Sequence, residues 1–134
     1  MERQELHPAL DEEARRSLFL EGIESFNEGH FFAAHEAWEE IWRSDLPEPR
    51  EFFQGLIQVA VGFHHFFDRQ GPAPAARVLA RGRQRLQAFL PTRFGLALGC
   101  LIESVVAWER WLEEPEGSEP GRPRIQICNR DEVR

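Results

Sequence analysis

The chain contains no lysine and no tyrosine, one methionine and two cysteines. The missing lysine makes every one of the 16 basic residues an arginine, a planar fork suited to bidentate pairing rather than a mobile point charge. Against 23 acidic residues these leave a net charge of −7. That balance argues against nucleic-acid or anionic-membrane binding, which needs a basic footprint. The two cysteines, Cys100 and Cys128, form neither a CxxC pair nor a zinc-binding pattern, so reduced thiols in a cytoplasmic protein are expected, with Cys100 inside a helix. No apolar run reaches the roughly 18 residues of a membrane span. The opening stretch Met1–Arg16 lacks the apolar core of a signal peptide.

What is present is a globular composition: 134 residues, 42% of them hydrophobic, enough to bury one core without staples. The fold class expected is all-α, a compact orthogonal or up-down bundle of about five helices over residues 1–112. A Pro/Gly-rich tail follows, 113–134. The first helix is placed from about Pro8, with Asp11, Glu12 and Glu13 near the positive end of its dipole. It closes at Asn27-Glu28-Gly29. The second spans roughly His30 to Arg43, before Pro47 and Pro49 forbid extension. The third, Pro49 to Arg69, is apolar on most sides and reads as central. The fourth runs from about Pro74 to Leu90 and the fifth from about Phe94 to Leu112. The tail is expected to be mobile, unless Ile125-Gln126-Ile127 lies extended on the bundle.

Chemistry concentrates in the run Phe26–Arg43. At about 100° per residue, Phe31, His35, Trp38 and Trp42 share a sector of roughly 60°, and Ala34 and Ile41 extend that face, with Glu39 at its edge and Glu36 and Glu40 further out. Trp38 and Trp42 are read as an aromatic wall. On the third helix Gln54, Gln58 and His65 fall within about 40° of one another, and His64 points about 100° away from His65. Buried amides and imidazoles need partners, so the two polar lines are expected to pair. The candidate network is His35, Glu36, Glu39, Gln54, Gln58, His64 and His65.

Two functions compete for that network. The first is a non-catalytic binding or assembly module, a homodimer or one with a protein partner, in which the network is structural and no cofactor is needed. The alternative is a metal-dependent or acid–base hydrolase. In it His35, Glu39 and His65 would hold a divalent transition metal such as zinc or iron. The spacing matches neither HExxH nor the doubled ExxH of di-iron bundles. A basic stripe, Arg77, Arg81 and Arg85, reads as a solvated or ion-paired face.

These residues carry a resemblance. Phe26, Asn27, Gly29, His35, Glu36, Glu39 and Trp42 are followed by Gln54, Gly55, Leu56, Ile57, Gln58, Ala60, His64 and His65. Together they resemble the prokaryotic domain-of-unknown-function family 309 over roughly Glu21 to Leu112. The resemblance implies a compact helical fold and carries no activity with it. Gly22, Gly29, Phe31, Ala34 and Trp38 also resemble one helical hairpin of the tetratricopeptide type, too few units for a repeat array.

Overall fold

Asp11 opens the first helix as its cap: the carboxylate accepts from the Ala14 backbone N–H at 2.7 Å, which satisfies one of the donors a helix start leaves free. The computed structural model describes residues 10–44, 49–69 and 72–133, and the expectations placed on Pro8 and Pro47 fall outside them. Helix α1 covers Glu12–Asn27, α2 Phe31–Arg43, α3 Arg50–Arg69, α4 Pro72–Leu86 and α5 Leu98–Glu113. Among the described residues the fold is all-α apart from one hairpin of two two-residue strands. None of the described helices is long and apolar enough to cross a membrane.

Between α1 and α2 the chain reverses at Gly29, whose φ of 86° is open to glycine and costly to other residues. Gly29 N–H reaches the Phe26 carbonyl at 3.0 Å and His30 N–H the Ser25 carbonyl at 2.8 Å, closing the helix end. Ser44 ends α2, its hydroxyl donating to the Ile41 carbonyl at 2.6 Å. Phe19, Phe26, Phe31, Trp38, Phe52, Phe53, Phe63 and Trp108 are fully buried in one continuous core. Their rings meet edge-on, Phe26 against Phe31 at 5.1 Å and Phe63 against Trp108 at 5.9 Å, the arrangement aromatic quadrupoles prefer.

Two close approaches set the helix geometry. Trp38 lies directly on the backbone of Gly22, where any Cβ would collide with the indole, and its Nε1–H donates to the Phe19 carbonyl at 3.3 Å. On the other side of the bundle α3 crosses α4 backbone to backbone at Gly55 and Gly82. A Cβ on Gly82 would stand 2.9 Å from the Gly55 carbonyl oxygen.

The structure departs from the expected boundaries after α4. That helix stops at Leu86 and yields to a 3-10 turn, Gln87–Phe89. Residues 92–97 then form a hairpin, β1 (Thr92–Arg93) paired antiparallel with β2 (Leu96–Ala97). Phe94 and Gly95 turn it with φ of 51° and 81°, the positive pair that a two-residue hairpin turn requires. The fifth helix therefore starts at Leu98 rather than Phe94.

The tail is the second departure. Residues 114–133 wrap the bundle as an ordered strap. Asn27 clamps it through both ends of its amide, accepting from Ile125 N–H at 2.6 Å and donating to the Ile125 carbonyl at 3.0 Å. Ile127 bridges Leu96, Trp108 Nε1–H reaches the Gly121 carbonyl at 3.0 Å, and Ile125 and Val133 are buried in the core. Of the expected behaviours, the extended lie of residues 125–127 is the one seen.

Gly22→Ala should destabilise the fold by about 1–3 kcal/mol, since the added methyl has no room beside Trp38. Denaturant unfolding measures it, and an unchanged midpoint would show that the indole can step aside.

Candidate functional site

The buried face of α2 is Phe31, Ala34, Ala37, Trp38 and Ile41. Its centre is rotated by roughly 60° from the sector expected around Phe31 and Trp42, taking about 100° per residue. The rotation carries His35, Glu39 and Trp42 to the boundary between core and solvent. Trp38 belongs to the core. Trp42 is half-buried, with the Arg50 guanidinium over its ring at 4.5 Å, so it is a rim residue and not part of a buried wall. Glu36 is exposed.

His35 keeps a side-chain exposure of 17% and Glu39 one of 28%, and His35 Nε2 stands 3.4 Å from Glu39 Oε2. Glu39 also accepts from Arg43 at 2.9 Å, so the three run as an i, i+4 ladder along α2. The carboxylate favours a proton on Nε2 in the neutral ring, leaving Nδ1 as a buried acceptor with no partner.

The expected pairing of His35 and Glu39 with Gln58 and His65 does not form. On α3 the core face runs from Phe52 through Leu56 to Phe63. Gln54, Gln58 and His65 lie on the opposite, half-buried side of the helix. Gln58 looks to α4, its Oε1 accepting from Arg85 at 2.8 Å while the same guanidinium binds Glu51 at 2.9 Å. The central helix has several neighbours, and its polar line borders α4, which was not the one expected. Arg85 is thereby the paired member of the basic stripe; Arg77 and Arg81 are exposed. A second fork, Arg83 on Glu109 of α5, is half-buried, with the NH2 group 3.1 Å from Oε1. Its hydrogen bonds to Glu109 raise the Arg83 guanidinium above the ordinary arginine value, with Coulomb attraction adding and burial opposing.

His64, not His65, faces α2. Its Nδ1 lies 2.6 Å from Asp68 Oδ2, one turn on. Between the two histidines stands Phe32, its ring 5.3 Å from that of His35 and 5.1 Å from that of His64. Phe32 is 48% exposed. Two imidazoles, each beside a carboxylate, thus flank one outward-facing aromatic ring. Phe32 and Asp68 were not among the expected residues. One signal was there: Asp68 lies one turn beyond His64.

Beside Phe32 opens a groove of about 800 Å³ along α1 and α2, lined among others by Leu18, Glu21, Ala33, Glu36, Ala37 and Glu40. Among the described residues no group of three or more His, Cys, Asp or Glu side chains is placed to hold a metal ion. His35 and Glu39 are thus two donors to which His65 does not add a third. Cys100 and Cys128 are both exposed and unjoined.

The sequence profile of DUF309, a domain of unknown function, matches residues 19–78, from the first buried turn of α1 into α4. Residues 19–78 are therefore similar to this family. The match holds Phe32, both histidine–carboxylate pairs and Gln58, and it stops short of α5 and the strap, which the resemblance to the family had included as far as Leu112. The chain is also similar to the uncharacterized protein YpuF of Bacillus subtilis (strain 168), at 41% identity over 59 residues. The aligned stretch is 43% of this chain and spans about a third (33%) of that relative's length.

His35→Ala should cost about 1 kcal/mol or less, because Glu39 keeps Arg43 and no buried partner is stranded. Combined with Gln58→Ala, the two losses should add within about 0.5 kcal/mol, as they do for residues without shared partners. A coupling above about 1 kcal/mol in the double-mutant cycle would put both in one network after all.

Proposed function

We propose that this chain is a non-catalytic helical binding module whose docking surface is the outward face of α2 around Phe32. The observation that carries the reading is Phe32 itself. Every other phenylalanine of the chain is buried or half-buried, and this one stands out, steadied by His35 and His64 on either side. An exposed, pre-positioned aromatic ring with a polar rim is how the centre of a protein interface is built. The ordered strap and the filled core behind α2 make that face a rigid one, so little ordering entropy is lost on binding. The two exposed, unjoined thiols fit a reducing, cytoplasmic setting.

Benzoylphenylalanine placed at position 32 and photolysed in cells that produce the chain should give a discrete cross-linked adduct. The same probe at the exposed Glu103 of α5 should give none. An adduct of twice the chain's mass identifies a second copy, and any other single mass a different protein. No adduct at position 32, or equal labelling at both positions, overturns the reading.

One observation favours a second reading, a metal-dependent or acid–base hydrolase: the 3.4 Å approach of His35 Nε2 to Glu39, which would orient the imidazole. Elemental analysis of protein purified without chelator tests its metal-dependent form. Stoichiometric zinc or iron that is lost in His35→Ala supports it, and metal-free protein that gains no activity with either ion removes it.

A further inference from the structure

We infer that the groove between α1 and α2 receives an amphipathic helix of another protein, apolar on one face and edged with arginine or lysine. The inference rests on the docking surface proposed above and names the chemistry of its occupant.

The shape comes first. α1 and α2 are joined by the tight reversal at Gly29 and run antiparallel. Leu18, Glu21 and Ser25 follow one another at helical spacing along α1, and Ala33, Ala37, Glu40 and Ser44 do so along α2. Two parallel rows of side chains leave a trough between them, and the volume of about 800 Å³ suits a guest helix. A rod of about 10 Å diameter and 5.4 Å pitch fills such a space in about two turns. Packing a helix into a hydrophobic groove is a recurrent recognition mode. Leu18, Ala33 and Ala37 give the groove apolar surface among its polar groups, and Phe32, which also lines it, offers an anchor for a large side chain.

The charge decides the occupant. Four carboxylates line the groove, Glu21, Glu36, Glu39 and Glu40, against the single guanidinium of Arg43. Arg43 is already held by Glu39. Glu21, Glu36 and Glu40 are exposed and make no ion pair among the described residues. A trough that mixes apolar side chains with unpaired carboxylates is complementary to a basic amphipathic helix, which it would both attract at a distance and orient on contact. It is poorly matched to a second copy of this chain. A two-fold pairing through the same face sets each carboxylate row against its own image, in a protein already at −7.

The test uses the full chain and three labelled synthetic peptides of about 18 residues, or five turns. One carries leucines along one helical face and arginines beside them. The second replaces each arginine with glutamate, and the third replaces each leucine with glutamine. Fluorescence anisotropy should show the arginine–leucine peptide binding at least about tenfold more tightly than either control, a difference of about 1.4 kcal/mol. The double variant Glu36→Gln/Glu40→Gln should weaken it about tenfold and flatten its salt dependence, and Phe32→Ala should weaken it without flattening that dependence. The inference is overturned if the arginine–leucine peptide binds no better than the leucine-free one, or binds the double variant as well as the parent chain. Cross-linking at position 32 together with either of those results rejects the basic helix and leaves the docking surface standing. Loss of the cross-link as well rejects both.

Discussion

Much of what this protein presents to its surroundings depends on the indole of Trp38 lying against the bare backbone of Gly22. The contact needs a residue without a side chain, and the hydrogen bond to the Phe19 carbonyl at 3.3 Å holds the ring in one orientation. A helix is free to roll about its axis until something fixes the angle. Trp38 fixes it for α2. With that angle set, Phe31, Ala34 and Ile41 turn inward, while Phe32, Glu36 and Glu40 turn outward. The boundary residues His35 and Glu39 owe their half-exposed state to the same angle. A roll of some 60° toward the sector of Phe31 and Trp42 would have buried His35 and Trp42 and left no histidine beside Phe32 at the surface of α2.

The helix count, the central apolar α3 and the capping of α1 were legible in the sequence because they follow from local signals: periodicity, a carboxylate before a helical run, a glycine after it. The likeness to the family was legible for a different reason, the joint spacing of its two motif helices. The rotation of α2 was less accessible. It depends on a glycine in the preceding helix meeting a tryptophan sixteen residues later, and no periodicity within α2 reports that. The pairing of Gln58 was missed for a related reason. A polar line on a central helix shows that a partner exists, and topology alone decides which neighbour supplies it. Arg85 of α4 does, at 2.8 Å. The hairpin at residues 92–97 was readable in principle from Phe94-Gly95 between Pro91 and Leu98, but the apolar period of α5 extends far enough back to mask it.

The strap shows how a segment of unpromising composition becomes ordered. Residues 114–124 are rich in proline, glycine and charge, with few side chains to bury. Order enters from the ends: Asn27 offers both halves of its amide to the Ile125 backbone, Trp108 takes the Gly121 carbonyl, and Ile125 and Val133 enter the core. Asn27 is thus a residue with two duties. It ends α1 just before the Gly29 reversal, and it ties the C-terminal strap to that same corner. Arg122 adds to the tie, donating to the Asn27 carbonyl at 3.2 Å. The corner that sets the α1–α2 hairpin is therefore tied to the strap by four hydrogen bonds, from Asn27 to Ile125 and from Arg122 to the Asn27 and Glu28 carbonyls.

The charge pattern of that trough follows from where the arginines are spent. Arg83 forks onto Glu109, Arg85 divides between Glu51 and Gln58, Arg50 covers Trp42, Arg93 lies over Phe89 and Phe94, and Arg122 braces the corner. Each of these forks has several donors to satisfy and a planar face to stack, so it is held by geometry and does not swing to serve a distant carboxylate. Flexible lysines, which could have reached across to neutralise an exposed glutamate, are absent from the chain. Among the described residues Glu21, Glu36 and Glu40 make no ion pair, and they line the groove with Leu18, Ala33 and Ala37. A surface that leaves one sign of charge unanswered in a partly apolar trough costs little in water, where each carboxylate is solvated, and becomes strongly selective once a partner displaces that water. The selectivity is set by repulsion as much as by attraction: acidic helices, including the chain's own, are turned away by the same three groups that would bind a basic one.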